Sequence, residues 1–214
     1  MSKLINKITK TLIASDFFLN LGWGLLSPIF AIFILNNITN GDSSKAVEIA
    51  GFAALSYWIT KSFIEIPIGY FLDKTAGERD DFWFMVVGTF IAGLVPIGYL
   101  FSTAPWHIYL FQALHAIGMA MALPSWLAIF TRHIDKGKEA FEWSMETTSI
   151  GTGAGIAGGI GGIVASIFGF QVVFVFVSAL TLVSTLLLLL VRKNIYPKMR
   201  DGARLVSGKP VVEP

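Results

Sequence analysis

Cysteine is absent from this chain of 214 residues, and charged side chains are scarce. Without cysteine, the chain has no disulfides, no cysteine metal ligands and no cysteine nucleophile. Aspartate, glutamate, lysine and arginine make up 14% of the residues, whereas soluble domains usually carry about 25%. Apolar residues make up 54% of the chain. This composition predicts a protein that is embedded in a lipid bilayer.

Long apolar segments alternate with short charged clusters along the chain. A bilayer core about 30 Å thick needs about 20 apolar residues per helix. The sequence therefore predicts an all-α membrane protein with six transmembrane helices, over residues 11–36, 47–72, 82–101, 106–131, 140–167 and 170–191. We expect one six-helix bundle over residues 1–192 and a basic, disordered cytoplasmic tail over residues 193–214.

The distribution of basic residues predicts the orientation of the chain in the membrane. If the N-terminus is cytoplasmic, each of the 16 lysines and arginines lies on the inner side except Lys45, in an outer loop, and Lys61, within the second helix. Basic residues are retained on the cytoplasmic side of membranes. Both termini are therefore predicted to be cytoplasmic.

Glycine and proline interrupt the first and fourth predicted helices. Gly22, Gly24 and Pro28 lie in the first helix, and Gly118 and Pro124 lie in the fourth. Interruptions at matching positions of an internal repeat are typical of a transporter's binding site. The sequence leaves open whether the two halves of this bundle form such a repeat.

The fifth predicted helix carries a stripe of glycines. Gly151, Gly155 and Gly159 are spaced by four residues, as are Gly158 and Gly162. This spacing exposes bare backbone along one face, which lets another helix approach closely in a membrane. We predict a helix-packing interface here, either within one bundle or against a second chain.

Several ionisable residues fall within the predicted helices, where they are costly and often face a cavity or a partner. Asp16 lies in the first helix. Lys61 and Glu65 are four residues apart on one face of the second helix, and Glu142 and Glu146 repeat this spacing at the start of the fifth. The first pair is either a mutually neutralising ion pair or part of a coupling site. For Glu142, the alternative to coupling is a solvated helix start favoured by the helix dipole.

The connection between the second and third helices resembles the signature of the major facilitator superfamily. It reads Gly69-Tyr70-Phe71-Leu72-Asp73-Lys74-Thr75-Ala76-Gly77-Glu78-Arg79. In the signature, a glycine is followed four residues later by aspartate, then by a basic residue, a glycine and further basic residues. Here Gly77 falls one position late, and Glu78 stands where a basic residue is common. Six spans, a cytoplasmic N-terminus and a glycine-rich fifth helix are also similar to the N-terminal half of such a transporter.

The resemblance implies two six-helix bundles around a central cavity, with the second and fifth helices of each bundle at the seam. Because this chain supplies one bundle, we expect a half-size secondary transporter of a small solute that works by alternating access as a parallel homodimer. The expected gating loop consists of Gly69, Asp73, Lys74, Gly77 and Arg79. Asp73 is expected to reach the N-terminus of the partner's fifth helix. We expect the protein to reside in a prokaryotic inner (plasma) membrane.

The resemblance also implies that the first and fourth helices line the substrate cavity. Its expected residues are Asp16, Asn20, Trp23, Gln112, His115 and Trp126. The candidate carriers of a coupled proton are Asp16, Glu65, Glu146 and His115. We expect no cofactor and no nucleic-acid partner, because the sequence has neither a phosphate-binding loop nor a visible nucleic-acid surface.

Other functions stay open at this point. A non-transporting scaffold or subunit would use the glycine face of the fifth helix to bind another membrane protein, and the second bundle could also come from a separate polypeptide. A membrane enzyme would need a clustered metal site, or a nucleophile with a base, near one headgroup plane. Since His107, His115 and His133 are predicted on opposite sides of the membrane, we expect no metal site and no enzyme.

Overall fold

The computed structural model describes residues 5–74 and 78–207, with side chains described up to residue 192 and at Ile195. Seven α-helices occur in these residues: α1 (Lys7–Leu26), α2 (Phe30–Asn37), α3 (Ser43–Lys74), α4 (Arg79–Tyr99), α5 (Pro105–His133), α6 (Glu139–Phe168) and α7 (Phe170–Ser207). Helix lies at each predicted position, and no strand occurs within the described ranges. The all-α prediction is therefore confirmed. The helix α7 extends past residue 192, and the disordered tail over residues 193–214 stays a prediction.

The first predicted helix is broken at Pro28, where α1 and α2 are bent by 41°. Proline lacks an N–H, and its ring clashes with the carbonyl four residues earlier in a helix. The fourth predicted helix differs, because Pro124 lies inside the continuous α5. The interruption in the first helix therefore has no counterpart at Pro124, and the internal repeat stays open. Along this stretch α5 packs closely on α4, with Gly118 against Gly88, and stays helical through the proline.

Among the described residues, four helical segments are long and apolar enough to cross a membrane: α4, α5, α6 and Phe170–Arg192 of α7. The bent pair of α1 and α2 would be a fifth. Although α3 is 32 residues long, it is not among them, and Lys61 and Glu65 interrupt its apolar sequence. The count of six spans stays a prediction.

The bundle is assembled from the helix pairs α4–α5, α1–α6, α1–α7, α3–α5 and α4–α7. Its apolar core has two parts. One contains Phe33, Tyr99 and Phe174, and the other, towards the opposite end, contains Phe82 and Phe130. Since lipid is as apolar as these side chains, van der Waals packing holds the helices together more than exclusion from water does.

The helices α3 and α6 lie at the margins of the bundle. The former contacts α5 and α2, and the latter contacts α1 and α7. The buried residues of α6 are Glu142, Glu146, Gly153, Ala157 and Gly161. Most other side chains on these two helices are partly or fully exposed. Each helix therefore presents a long outer face to lipid or to a partner.

Candidate functional site

A cavity with a volume of about 290 Å³, which we call the aromatic cavity, opens between α1, α2, α3 and α5. Three residues predicted for the substrate cavity line it, namely Trp23, Gln112 and His115. The other lining residues are Leu26, Ser27, Phe30, Ala54, Tyr57 and Trp58. The break at Pro28 lies at this cavity, since Ser27 and Phe30 flank it.

Four rings form a continuous wall of the aromatic cavity. The indole of Trp23 stacks on the imidazole of His115, with ring centroids 3.6 Å apart and planes inclined by 4°. Tyr57 lies 4.9 Å from His115 and meets Trp58 edge-on at 5.2 Å. Such a wall offers a large apolar surface with polar edges and few rotatable bonds.

Three polar side chains that line the aromatic cavity have no hydrogen-bond partner among the described residues. The N–H of Trp23 Nε1 is shielded from solvent, and no described residue accepts its hydrogen bond. Gln112 and His115 also form no hydrogen bond with the described part of the chain. A side-chain amide can donate and accept at once, and a neutral imidazole carries one donor and one acceptor. Gln112 and His115 are therefore free to bind a solute in the cavity.

An ion pair lies one helical turn beyond the tyrosine and tryptophan of α3. Lys61 Nζ lies 2.8 Å from Glu65 Oε2 and 5.7 Å from the ring centroid of Trp58. The lysine is buried. The two charges neutralise each other, which agrees with the first of the two interpretations left open by the sequence.

The contribution of α3 to the aromatic cavity was missed at the sequence level. Ala54, Tyr57 and Trp58 are spaced by three and four residues, and Lys61 continues the same face. Residues with this spacing are neighbours on a helix surface. Aromatic residues one turn before a lysine within a predicted span were the signal that would have indicated this face.

The carboxyl groups of Asp16 on α1 and Glu146 on α6 lie within hydrogen-bond reach of each other. Asn20 Nδ2 also donates to Asp16 Oδ2 at 3.0 Å. Glu146 is 2% exposed, and no N–H or neutral O–H group of the described residues donates to its carboxyl oxygens. A hydrogen bond between two carboxyl groups requires a proton on one of them. Two adjacent carboxylates in low dielectric also repel each other, which makes this pair a candidate site for a bound proton.

A second cavity, with a volume of about 20 Å³, adjoins Asp16. The hydroxyl-bearing residues Ser15, Thr89 and Ser184 line it. Its volume suits a single water molecule. The structure thus places the six predicted cavity residues at two levels: Trp23, Gln112 and His115 at the aromatic cavity, and Asp16, Asn20 and Trp126 at or beside the carboxyl pair and this second cavity.

Glu142 is buried, so the alternative of a solvated helix start does not hold. Its exposed fraction is 0%, and one carboxyl oxygen accepts the N–H of Asp135 at 3.3 Å. Thr9 of α1 lies beside it. The physical reason is that α6 packs against α1 from its first turn, which points this carboxyl group inwards.

A polar network at the same end of the bundle was not expected from the sequence. Arg132 pairs with Asp81, whose side chain is buried, and His133 Nδ1 lies 3.6 Å from a carboxyl oxygen of Glu78. The Asn6 side chain caps α1 and donates to the carbonyl of His133. The network joins α1, the start of α4 and the end of α5. No spacing rule could have linked residues so far apart in sequence.

Most residues of the predicted gating loop lie at helix ends. Gly69, Asp73 and Lys74 belong to the last part of α3, and Arg79 begins α4. Asp73 is exposed. Gly77 lies outside the described residues.

The predicted glycine stripe of α6 faces away from the bundle. A Cβ atom on any of its members, Gly151, Gly155, Gly158, Gly159 and Gly162, would meet no described atom within 4 Å. Gly153 and Gly161 instead pack against Phe17 and Leu25 of α1. Of the two alternatives left open by the sequence, packing within one bundle therefore does not hold for the stripe.

Comparison with known protein families adds the deciding observation, because the Major Facilitator Superfamily matches residues 12–212. The chain belongs to the major facilitator superfamily. This membership confirms the resemblance that rested on the loop signature and the helix pattern. A search of curated proteins found no match.

Members of the major facilitator superfamily are membrane transporters rather than enzymes. The four or five apolar helices long enough to cross a bilayer agree with an integral membrane protein. The chain is therefore a transporter of the major facilitator type.

Proposed function

We propose that this chain is a half-size secondary transporter of a small solute that works by alternating access as a parallel homodimer and is coupled to protons. The observation that carries this proposal is the contact between Asp16 and Glu146. It joins α1, which lines the aromatic cavity, to α6, which carries the outward glycine stripe. A proton on this pair lies between the place where a solute binds and the place where a second bundle would pack.

The proposed topology has six spans with both termini cytoplasmic, in a prokaryotic inner membrane. In it, α1 and α2 form one broken span, and α3 is the additional span. A helix of this length extends about 48 Å, more than the hydrocarbon core of about 30 Å. The ion pair of Lys61 and Glu65 supports this assignment, because paired charges are easier to accommodate within a membrane than separate ones.

The proposed occupant of the outer faces of α3 and α6 is a second copy of the chain. Alternating access needs two bundles that rock about a shared site. A two-fold axis along the membrane normal brings α3 of one copy against α6 of the other. The glycine stripe favours this contact over lipid, because small residues allow close backbone approach. Asp73, at the end of α3, would then reach the N-terminus of the partner's α6, whose dipole favours a carboxylate.

Native mass spectrometry of the complex released in mild detergent tests the homodimer. We expect a dimer that Gly158→Ile converts to a monomer. Ala179→Ile, which changes an exposed small residue of α7, is the control and leaves the dimer intact. A wild-type monomer would overturn the homodimer. A complex with a different membrane protein, together with no solute flux in liposomes, would instead support a scaffold or a transporter split over two polypeptides.

Infrared spectroscopy tests the proton on the carboxyl pair. We expect the wild type to show the C=O stretching band of a protonated carboxylic acid at neutral pH. The double variant Asp16→Asn with Glu146→Gln should lose this intensity. Glu65→Gln is the control, because Glu65 is paired with Lys61. An unchanged band in the double variant would contradict proton coupling at this pair and would leave the homodimer unaffected.

A further inference from the structure

We infer that the aromatic cavity selects an uncharged solute that carries a planar ring and a hydrogen-bond acceptor. The inference deepens the proposed function and rests on it, because it names the class of solute carried by the same site. Three features of the described residues lead to it: the lining without formal charge, the ion pair beside the wall, and the stacked rings with unpaired polar groups.

The lining of the aromatic cavity offers no counter-charge. Among the described residues that form it, none is a carboxylate, a lysine or an arginine. An ion that entered would lose hydration without gaining an ion pair, which costs far more than burying a neutral polar group. A neutral solute avoids this cost.

The ion pair of α3 disfavours charged solutes of both signs. Aromatic faces attract cations, but the ammonium group of Lys61 already lies 5.7 Å from the ring centroid of Trp58 and would repel a second cation. An anion gains little from the same lysine, since Glu65 lies 2.8 Å from it and would repel the anion. A cation is therefore repelled by Lys61, an anion is repelled by Glu65, and in each case the attracting charge is already neutralised by its partner.

The ring wall and its polar groups define the rest of the solute. The stacked pair of Trp23 and His115, with centroids 3.6 Å apart, is a platform on which another planar ring can stack in an offset arrangement. Gln112 and His115 form no hydrogen bond with the described residues, so the amide of Gln112 can donate to a solute and the imidazole of His115 offers one donor and one acceptor. A carbonyl group on a ring satisfies such a donor. The volume of about 290 Å³ restricts the solute to a small molecule.

Three related probes separate charge from shape, namely nicotinamide, which is neutral, nicotinate, an anion, and 1-methylnicotinamide, a cation. Equilibrium binding of each radiolabelled probe is measured on the full chain in lipid nanodiscs. We expect saturable binding of nicotinamide and at least about tenfold weaker binding of both ions. No saturable binding of nicotinamide below about 10 mM, or tighter binding of either ion, would overturn the inference.

Variants show whether binding occurs in the aromatic cavity. Gln112→Leu removes the amide that can donate to the solute, so we expect about a fivefold loss of nicotinamide affinity, the effect of one hydrogen bond. Gln171→Leu, at an exposed position of α7, is the matched control and should cause none. Equal effects of the two glutamine variants would place the binding elsewhere and overturn the inference.

The role of the ion pair has its own readout. Glu65→Gln leaves Lys61 charged and unpaired, so we expect the affinity for nicotinate to rise at least about fivefold relative to nicotinamide. An unchanged ratio would contradict the exclusion of anions by this pair.

The two proposals fail separately, because binding is measured without transport. A wild-type monomer in mass spectrometry, with the expected order of probe affinities, would overturn the homodimeric transporter alone. A dimer with the reversed order of affinities would overturn the solute class alone.

Discussion

Two adjacent glycines of α6 are predicted to respond in opposite ways to the same substitution. Gly161 packs against the backbone carbonyl of Leu25 on α1, and a Cβ atom there would overlap it. At Gly162 a Cβ atom would meet no described atom within 4 Å. Replacement of each glycine by alanine therefore tests the orientation of α6 with minimal change in chemistry.

The magnitudes follow from two opposing terms. Both substitutions gain about 1 kcal/mol from the higher helix propensity of alanine. Overpacking costs about 1–3 kcal/mol, and Gly161→Ala falls in the upper half of this range because the obstacle is backbone. The free energy of unfolding should fall by about 1–2 kcal/mol for Gly161→Ala and rise by up to about 1 kcal/mol for Gly162→Ala.

Thermal unfolding, followed by circular dichroism in a detergent that keeps the chain monomeric, measures the difference. For a chain of this size, about 1 kcal/mol corresponds to a shift in Tm of about 2–4 °C. We expect a lower Tm for Gly161→Ala and an equal or higher Tm for Gly162→Ala. Equal shifts for the two variants, or a larger loss for Gly162→Ala, would refute the orientation of α6 and with it the outward glycine stripe.

Two further predictions concern the polar end of the bundle. Arg132→Gln leaves Asp81, whose side chain is 1% exposed, without its counter-charge. We expect the free energy of unfolding to fall by about 1–3 kcal/mol, less than for a fully buried pair because the arginine is partly exposed. The double variant Arg132→Gln with Asp81→Asn should recover most of this loss. Equal losses for the single and the double variant in chemical denaturation would contradict the pairing. The hydrogen bond from Asn6, with smaller contributions from nearby groups, lowers the pKa of Asp135 below its ordinary value of 3.8. This stabilisation is complete at pH values above the ordinary pKa and is lost as pH falls through the pKa of the folded state. Asp135→Asn should therefore lower Tm at neutral pH and make Tm fall less steeply below about pH 4. A curve of Tm against pH parallel to that of the wild type would contradict this prediction.

The two levels of the candidate site were partly accessible from the sequence. Asp16 and Trp23 are seven residues apart, which is about 10 Å along a helix, so one small cavity could not hold both at its centre. What spacing does not show is the partner at each level. The contact of Asp16 with Glu146 and the stacking of Trp23 on His115 join distant segments, and they depend on how α6 and α5 are placed around α1.

Helix positions follow from the sequence alone, because backbone N–H and C=O groups in lipid must be satisfied within each segment. Proline alone does not decide where a helix breaks, since the chain is broken at Pro28 but α5 continues through Pro124. Tertiary structure decided which face of each helix points inwards, as at Gly161 and Gly162. Lipid is as apolar as a membrane protein's core, so apolar periodicity does not distinguish the two faces. Only the packing of the helices showed that Glu142 is buried and that the glycine stripe faces outwards.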